Sequence, residues 1–458
     1  ISINESKSSI CWDIWALCTN LPQVGVKLEK EEKAVHANSI REIFYTFLNR
    51  FIMKNLYLIL VLSALVACTG SSQKEKPACV NTPVEPFTGL PVFDLQGQYP
   101  EKEIILQDIA DVRYVVLETG DSSLVGTRTI LMTDSLLVTV NKKSDVIFFD
   151  KSGKYLHSFN HTGMSGEEYG DVVSGYCIDE KAREIFIYDG LQSRIQVYGY
   201  GGAYRRTLKL PQNRMFASSI FEYDENFLFG EDYRLVDYQI GKYPVNKTPY
   251  YKISKKDGKL TSVPITVKGR IRDGLYTVGD GESGGYVSLS MSPVARLGSD
   301  ILIADYSLDT AYVYRDDHLI PLTVRRNHTS ENNIPILATV DVMTGRYLLW
   351  YTIVKDIDVK NNRVSDPVSY LYDRFTNEYC RVDLVNRDGV SATNVPAFQM
   401  RLSANYHVVP ENYAIQCYPA EKLIELNGQG KLKGELKEIA SKLNDEDNPV
   451  LLIAKFKE

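Results

Sequence analysis

Residues 135–159 (SLLVTVNKKSDVIFFDKSGKYLHSF) align without a gap on residues 184–208 (EIFIYDGLQSRIQVYGYGGAYRRTL). Only three of the 25 positions are identical, so the likeness lies in the pattern. Each stretch reads as strand, polar turn, strand, glycine turn, strand, with short apolar runs broken by Asn, Asp or Gly. Gly153 falls on Gly202 and Tyr155 on Tyr204, marking one hairpin where glycine supplies the positive φ of a tight turn. Residues 300–324 (DILIADYSLDTAYVYRDDHLIPLTV) are a third copy. There Ile301, Ile303, Asp305, Val313 and Tyr314 replace Ile185, Ile187, Asp189, Val197 and Tyr198, and Asp316-Asp317 stand at the glycine turn.

Weaker copies fill the gaps. One spans Ser219 to Ile265, with an enlarged middle containing Asp232-Tyr233-Arg234. A second runs from Tyr347-Leu348-Leu349-Trp350-Tyr351-Thr352 to Arg381-Val382-Asp383-Leu384, and a last one covers Tyr406 to Leu426. Antiparallel meanders recurring every 40–60 residues or so are propeller blades. The expected fold is therefore all-β: a six-bladed β-propeller of antiparallel four-stranded blades over residues 92–458. Five or seven blades, or a two-sheet sandwich, are the alternatives, and the gap-free hairpin recurrence argues against the sandwich. At the C-terminus Leu432, Leu436, Ile439, Ala440 and Leu443 share one face of a short helix predicted over Lys431–Leu443. Val450-Leu451-Leu452-Ile453-Ala454 reads as a buried strand after it. This strand, or one near Ile104–Leu106, is expected to complete a shared blade and close the ring, leaving no open sheet edge.

Composition is that of a globular chain: 458 residues, 24% charged, 44% hydrophobic, formal net charge -6. It offers no basic footprint for nucleic acid and no polybasic stretch for an anionic membrane surface. Thirty tyrosines against sixteen phenylalanines suit strands with one dry and one wet face, or a surface that stacks on carbohydrate.

The first methionine is Met53, followed by Lys54-Asn55, an apolar run from Leu56 to Ala67, and Cys68. About a dozen apolar residues after one short basic region make a secretory signal rather than a membrane span. Residues 53–67 are thus predicted to be a lipoprotein signal peptide. Leu65-Val66-Ala67-Cys68 resembles a bacterial lipobox, which implies lipid attachment at Cys68. A signal peptide begins a chain, so residues 1–52 read as a non-native upstream extension. Residues 68–91, polar and proline-rich, read as a lipid-anchored flexible tether. Cys79, Cys177, Cys380 and Cys417 are too widely spaced for a zinc or redox motif, and Cys177 and Cys380 read as small strand residues.

Three stretches resemble the six-bladed β-propeller lipoproteins of gut Bacteroidetes, a family of largely unknown function. They are Asp111-Val112-Arg113-Tyr114-Val115-Val116-Leu117-Glu118-Thr119, Phe148-Phe149-Asp150-Lys151-Ser152-Gly153-Lys154 and Gly163-Met164-Ser165-Gly166-Glu167-Glu168-Tyr169. The ending Leu443-Asn444-Asp445-Glu446-Asp447-Asn448-Pro449-Val450-Leu451 is similar as well. In the loop the family usually has Gly-Pro-Gly-Glu-Tyr, so the proline is absent here. The resemblance, over roughly residues 85–458, implies architecture and lipid anchoring; a fold is not a function.

Chemistry is sparse. His157, His161, His318, His328 and His407 show no metal spacing, so no metal or cofactor is expected. There is no nucleophile elbow or phosphate loop, and the glycine-rich stretch at residues 279–285 reads as a long blade connection. Two features are candidate ligand-facing sites. Glu167, Glu168 and Tyr169 put two carboxylates beside an aromatic between blades, suited to sugar hydroxyls and a sugar face, or else to a solvated loop anchored by Tyr169. Asp189 and its counterpart Asp305, with Tyr306, end equivalent strands and would ring the channel mouth, or else form Asx-type turns. The resulting expectation is a lipid-anchored, non-enzymatic binding or scaffold module for a glycan, peptide or protein partner, with no nucleic-acid role. It is placed at the outer membrane, facing the periplasm rather than the surface because no run of acids follows Cys68. The alternative is a propeller hydrolase or lyase acting on exported glycans or lactones.

Overall fold

The computed structural model describes residues 89–125, 130–170, 175–212, 220–232, 248–267, 269–271, 274–277, 285–289, 292–330, 332–358, 363–389 and 409–458. Residues 1–52, the signal 53–67, Cys68, Cys79 and most of the tether lie outside them, as does His407. Residues Phe87–Glu458 form one compact unit.

Its first segment holds β1 (Val92–Asp94), β2 (Glu101–Ile105), the single turn α1 (Leu106–Ile109) and β3 (Ala110–Val116). Blade I follows as β4 (Leu131–Met132), β5 (Leu136–Val140), β6 (Val146–Asp150) and β7 (Tyr155–Phe159). Blade II is β8 (Gly175–Asp179), β9 (Glu184–Asp189), β10 (Arg194–Gly199) and β11 (Tyr204–Lys209). Blade III is β12 (Ile220–Glu222), β13 (Phe227–Glu231), β14 (Tyr250–Ser254) and β15 (Leu260–Ser262). A hairpin, β16 (Gly274–Thr277) and β17 (Gly285–Ser288), lies in the connection to blade IV. Blade IV is β18 (Val294–Leu297), β19 (Asp300–Ile303), β20 (Thr310–Arg315) and β21 (His318–Arg326). Blade V is β22 (Ile336–Met343), β23 (Tyr347–Val354), β26 (Val368–Asp373) and β27 (Glu378–Val385), with the small hairpin β24 (Ile357–Asp358) and β25 (Arg363–Val364) between its middle strands. Blade VI contains β28 (Tyr413–Tyr418), then α2 (Ala420–Gly428) and α3 (Gly434–Ala440), and β29 (Val450–Phe456).

This is a six-bladed β-propeller, and its closure is visible in the pairing. In blade VI the C-terminal β29 sits between β28 and the N-terminal β3, antiparallel to both, with Val450 opposite Val116 and Phe456 opposite Ala110. The strand near Ile104 does something else: β2 adds a parallel fifth strand to the outer edge of blade V, as β1 does on blade IV. The first 25 or so residues of the unit thus run along the rims of three successive blades and cover edges that would otherwise offer unpaired backbone. Pro91 and Pro100 open the two added strands, and their carbonyls accept equivalent 3.0 Å bonds from Val324 and Arg381 N–H.

Apolar side chains fill each gap between blades. Leu451 and Ile453 of blade VI pack with Leu137, Ile147 and Phe149 of blade I, while Leu452 and Val450 on the opposite face pack with Leu371 and Val382 of blade V. Phe93 of β1, fully buried, stacks on Tyr379 at 5.0 Å and meets Trp350 at 5.1 Å, plugging the gap between blades IV and V.

In blades I to V the turn between third and fourth strands uses a left-handed residue. Gly153 (φ +89°) and Gly202 (φ +84°) dock against the preceding blade so closely that a Cβ would sit 2.3 Å from the Val116 carbonyl or 2.9 Å from the Phe159 ring. Blade IV meets the same need with Asp316 (φ 47°) and Asp317 (φ 62°), and blade V with Asn377 (φ 58°). Asp317 gains something glycine lacks: its carboxylate accepts from Lys252 Nζ at 2.6 Å and from the Tyr314 hydroxyl at 2.9 Å, tying blade IV to blade III.

Two sequence expectations need correction. The copy predicted over Tyr406 to Leu426 ends early, because Ala420–Gly428 is helix α2, entered at Pro419 and burying Leu423 and Leu426 three residues apart. The terminal helix is shorter than Lys431–Leu443: α3 covers Gly434–Ala440 and buries Leu436 and Ala440. Cys177 and Cys380 are buried strand residues with free thiols.

Candidate functional site

In an antiparallel meander the turns between first and second strands open on one face of the ring. The turns between second and third strands, with the blade-to-blade connections, open on the other. Every candidate drawn from the sequence lies on the latter face, in two separate groups.

The first group is the connection between blades I and II. Tyr169 is fully buried; its hydroxyl donates to the Ser144 carbonyl at 2.8 Å and accepts from His161 N–H at 3.1 Å. Burial pushes its pKa up to about 12. The ring anchors the loop and is closed to any sugar, so Tyr169 is not ligand-facing. Glu168 folds back on its own loop, accepting from Ser165 N–H at 2.7 Å, a bond that lowers its pKa. Glu167 is exposed. Asp189, 2% exposed, accepts from Gln192 N–H at 3.2 Å and Gly170 N–H at 3.3 Å and pairs with Arg194 at 3.3 Å. Arg194 also donates to the Glu168 carbonyl, so Asp189 holds the loop through Arg194 rather than facing solvent. His157 and His161 stack on Phe148 and Tyr198 and donate to the Tyr200 and Gly202 carbonyls, which makes them blade-to-blade contacts.

The second group joins blades III and IV. Asp305, fully buried, accepts from Arg270 Nε at 2.9 Å, the Tyr250 hydroxyl at 2.6 Å and Ser307 N–H at 3.0 Å. Arg270 Nη2 reaches Glu231 at 2.6 Å. Burial works to raise the Asp305 pKa; Arg270 and Tyr250 outweigh it and hold it low. Arg325, also buried, gives its guanidinium to the Ala304, Ala338, Asp305 and Leu308 carbonyls, and burial takes its pKa down to about 10. Tyr306 is 4% exposed beside this network. Asp305 and Tyr306 are thus interior residues of a blade interface, not channel-mouth groups, because each carboxylate there is already spent on a cation.

The opposite face carries the site the sequence reading missed. A cavity of about 320 Å³ opens where the first strands converge, lined from blade I (Met132, Asp134), blade II (Asp179, Glu180), blade III (Glu222), blade IV (Arg296) and the turn before β28 (Val409, Glu411). Contributions from five blades to one cavity identify it as the axial mouth of the ring. Charged side chains bind its wall together. Lys255 donates to Asp179 at 2.6 Å and Glu222 at 3.2 Å, and Glu222 accepts from Arg296. Glu180 reaches across to blade I and accepts from Asp134 N–H at 2.9 Å and Ser135 N–H at 3.1 Å, besides the Ser135 hydroxyl. Burial works to raise the pKa of Asp179 and of Glu180, but the Lys255 ammonium and the Ser135 hydroxyl respectively prevail, and both are held below the usual carboxylate range. Both are therefore ionised acceptors at neutral pH. Among the described residues no three His, Cys, Asp or Glu side chains are grouped to hold a metal ion. A sequence signal existed: acidic residues follow the first strands of blades I, II and III, at Asp134, Glu180 and Asp224, and Glu411 precedes β28, but strands as short as Leu131–Met132 hide that register.

A solved structure of a Bacteroides fragilis protein assigned as exported shares the fold: TM-score 0.55 and 15% identity, covering 80% of this chain and 99% of that one. A member of the DUF4221 family from Bacteroides vulgatus matches with TM-score 0.40 and 10% identity, over 61% of this chain and 90% of that one. None of the curated proteins matches this chain. A family model, Domain of unknown function (DUF4934), matches residues 90–455, which spans the whole ring from the rim strand β1 to the closing strand β29, and the chain belongs to that family.

Proposed function

We propose that this protein is an exported, lipid-anchored binding or scaffold propeller that seats a glycan, peptide or protein partner at its axial mouth. The observation carrying the reading is the cavity itself: about 320 Å³, lined by charged and aliphatic side chains, and built by five blades. That volume is at the lower end of small-ligand sites, and convergence of polar groups in a preformed hollow is how such sites gain specificity. The exported assignment of the Bacteroides fragilis structure and the Leu65-Val66-Ala67-Cys68 lipobox support placement in the cell envelope, anchored to the outer membrane and facing the periplasm. Gathered carboxylates also favour a hydrolase or lyase, yet such chemistry needs a proton donor, and Asp179 and Glu180 are held ionised.

The test is calorimetry of the full chain against glycan and peptide panels, repeated with Lys181→Trp. Lys181 lines the cavity, is exposed, and among the described residues its ammonium pairs with Glu225 at 3.9 Å, so the bulky ring blocks the mouth without disturbing the core. Binding should vanish while the melting temperature holds. Unchanged binding by Lys181→Trp moves the seat elsewhere. The anchor is tested separately: Cys68→Ala should move the protein from the membrane to the soluble fraction.

A further inference from the structure

We infer that the axial mouth takes a short basic peptide segment, with an ammonium group against Asp134 and Glu411 and a peptide carbonyl on Arg296. The inference rests on the axial mouth being the ligand seat.

Three observations lead to it. The first is charge. Asp179 and Glu222 are neutralised by Lys255 and Arg296, and Lys181 leans out to Glu225. Arg315 is taken by Asp300. What remains at the mouth is Asp134, Glu180 and Glu411. Lys151, whose ammonium sits on the Thr133 carbonyl at 2.6 Å, acts on Asp134 and Glu180, and the Arg315 guanidinium acts on Glu411. Glu180 is occupied by blade I donors, whereas Asp134 and Glu411 are exposed at the rim. A ligand cation there meets two exposed carboxylates that form no direct ion pair among the described residues.

The second observation is a donor with capacity to spare. Arg296 lines the cavity and gives Nη2 to Glu222, while 22% of its side chain stays exposed. A guanidinium carries five N–H groups, so it can also donate to an incoming carbonyl oxygen. The third is the apolar part of the lining: Leu131, Met132, Cys177, Ile178, Val409 and Pro410. These are aliphatic or sulfur-bearing, without the flat aromatic face on which a sugar ring stacks. One hollow that offers an acidic rim, a guanidinium donor and an aliphatic wall matches a residue or two of peptide better than a sugar.

The experiment is calorimetric titration of the full chain with lysyl-alanine, its doubly N-acetylated form, glutamyl-alanine and glucose. Lysyl-alanine should bind one per chain, at least tenfold more tightly than the acetylated or glutamyl probes. Raising salt from about 50 to about 500 mM should weaken it, since rim charges are screened. Glu411→Gln should weaken lysyl-alanine at least fivefold, and Arg296→Met should weaken it in addition. Glu411 is exposed, so its variant keeps the test intact should Arg296→Met fold poorly. Equal binding of the acetylated probe, or no loss in Glu411→Gln, overturns the inference. Binding of glucose but not of lysyl-alanine, abolished by Lys181→Trp, overturns the peptide assignment and leaves the axial seat standing. No binding by any probe, together with silence from the wider panels, overturns both.

Discussion

Removing residues 449–458 should unfold the whole ring rather than fray one end. The segment contains β29, which lies between β28 and β3 and whose two faces serve two different blade interfaces. Val450, Leu451, Leu452 and Ile453 are at most 1% exposed, and Phe456 is 4% exposed. Burying an aliphatic or aromatic side chain of that size contributes about 1.5–3 kcal/mol. Together these side chains carry roughly 8–15 kcal/mol, of the same order as the entire stability of an ordinary domain. The cut also strands the ladder donors of both neighbouring strands. Circular dichroism and urea titration of the truncated chain should therefore show loss of the cooperative transition. A graded control is Leu452→Ala, expected to cost about 2–5 kcal/mol through lost burial and the cavity left behind. A truncated chain that melts at the same midpoint with the same cooperativity would show that β29 is an accessory and that β28 and β3 close the ring without it.

Asn448→Ala should cost about 1–3 kcal/mol in urea titration, because the buried amide donates to the Glu118 and Ser123 carbonyls and accepts from Val125 N–H, pinning the chain end to the loop after β3. Arg270→Met should cost more, about 3–5 kcal/mol, since it leaves Asp305 and Glu231 buried without their cation; a loss below 1 kcal/mol would mean the cluster is solvated. Acid should destabilise the fold in a narrow window. Asp179 titrates below its ordinary value, so it adds stability above an unfolded pKa of about 3.9 and loses it as the pH falls through the folded value. The urea midpoint should hold from pH 7 to about pH 5, fall below about pH 4, and fall less steeply in Asp179→Asn; identical slopes would refute the Lys255 pairing.

Blades I and II were the most legible because their middle and outer strands are five or six residues long and end in turns with fixed backbone demands. Gly153 and Gly202 aligned for a physical reason: each turn docks on the preceding blade at positive φ. The rim strands were legible only in part. A strand near Ile104 was expected, but not its parallel pairing along the outer edge of blade V, and β1, three residues long, carries no period of its own. Helix α2 was read as strand because its apolar residues, Leu423, Ile424 and Leu426, satisfy both templates over so short a run. The cavity was hidden for a related reason. The first strands that line it are as short as Leu131–Met132 and Ile220–Glu222, and only their convergence in space gives Asp134, Glu222 and Arg296 a common address.

The recurrence of Asp189 and Asp305 led toward function and ended in structure, and the outcome follows from how a repeat protein is built. A residue that returns at the same position of several blades answers a need that every blade has. Here that need is to close the turn after the second strand, which Asp189 does through Gln192 N–H and Asp305 through Ser307 N–H. A ligand that sits on the axis meets each blade once, so its contacts come from positions where the blades differ. The axial mouth has that character: Asp134 from one turn, Glu180 and Lys181 from the next, Glu222, then Arg296, then Glu411. The links between these turns also run from blade to blade, Glu180 to blade I, Lys255 from blade III to Asp179 in blade II, and Arg296 from blade IV to Glu222. No blade can hold its part of the wall alone, so the shape of the mouth depends on ring closure at β29, and loss of the closing strand should abolish binding before any lining residue is touched.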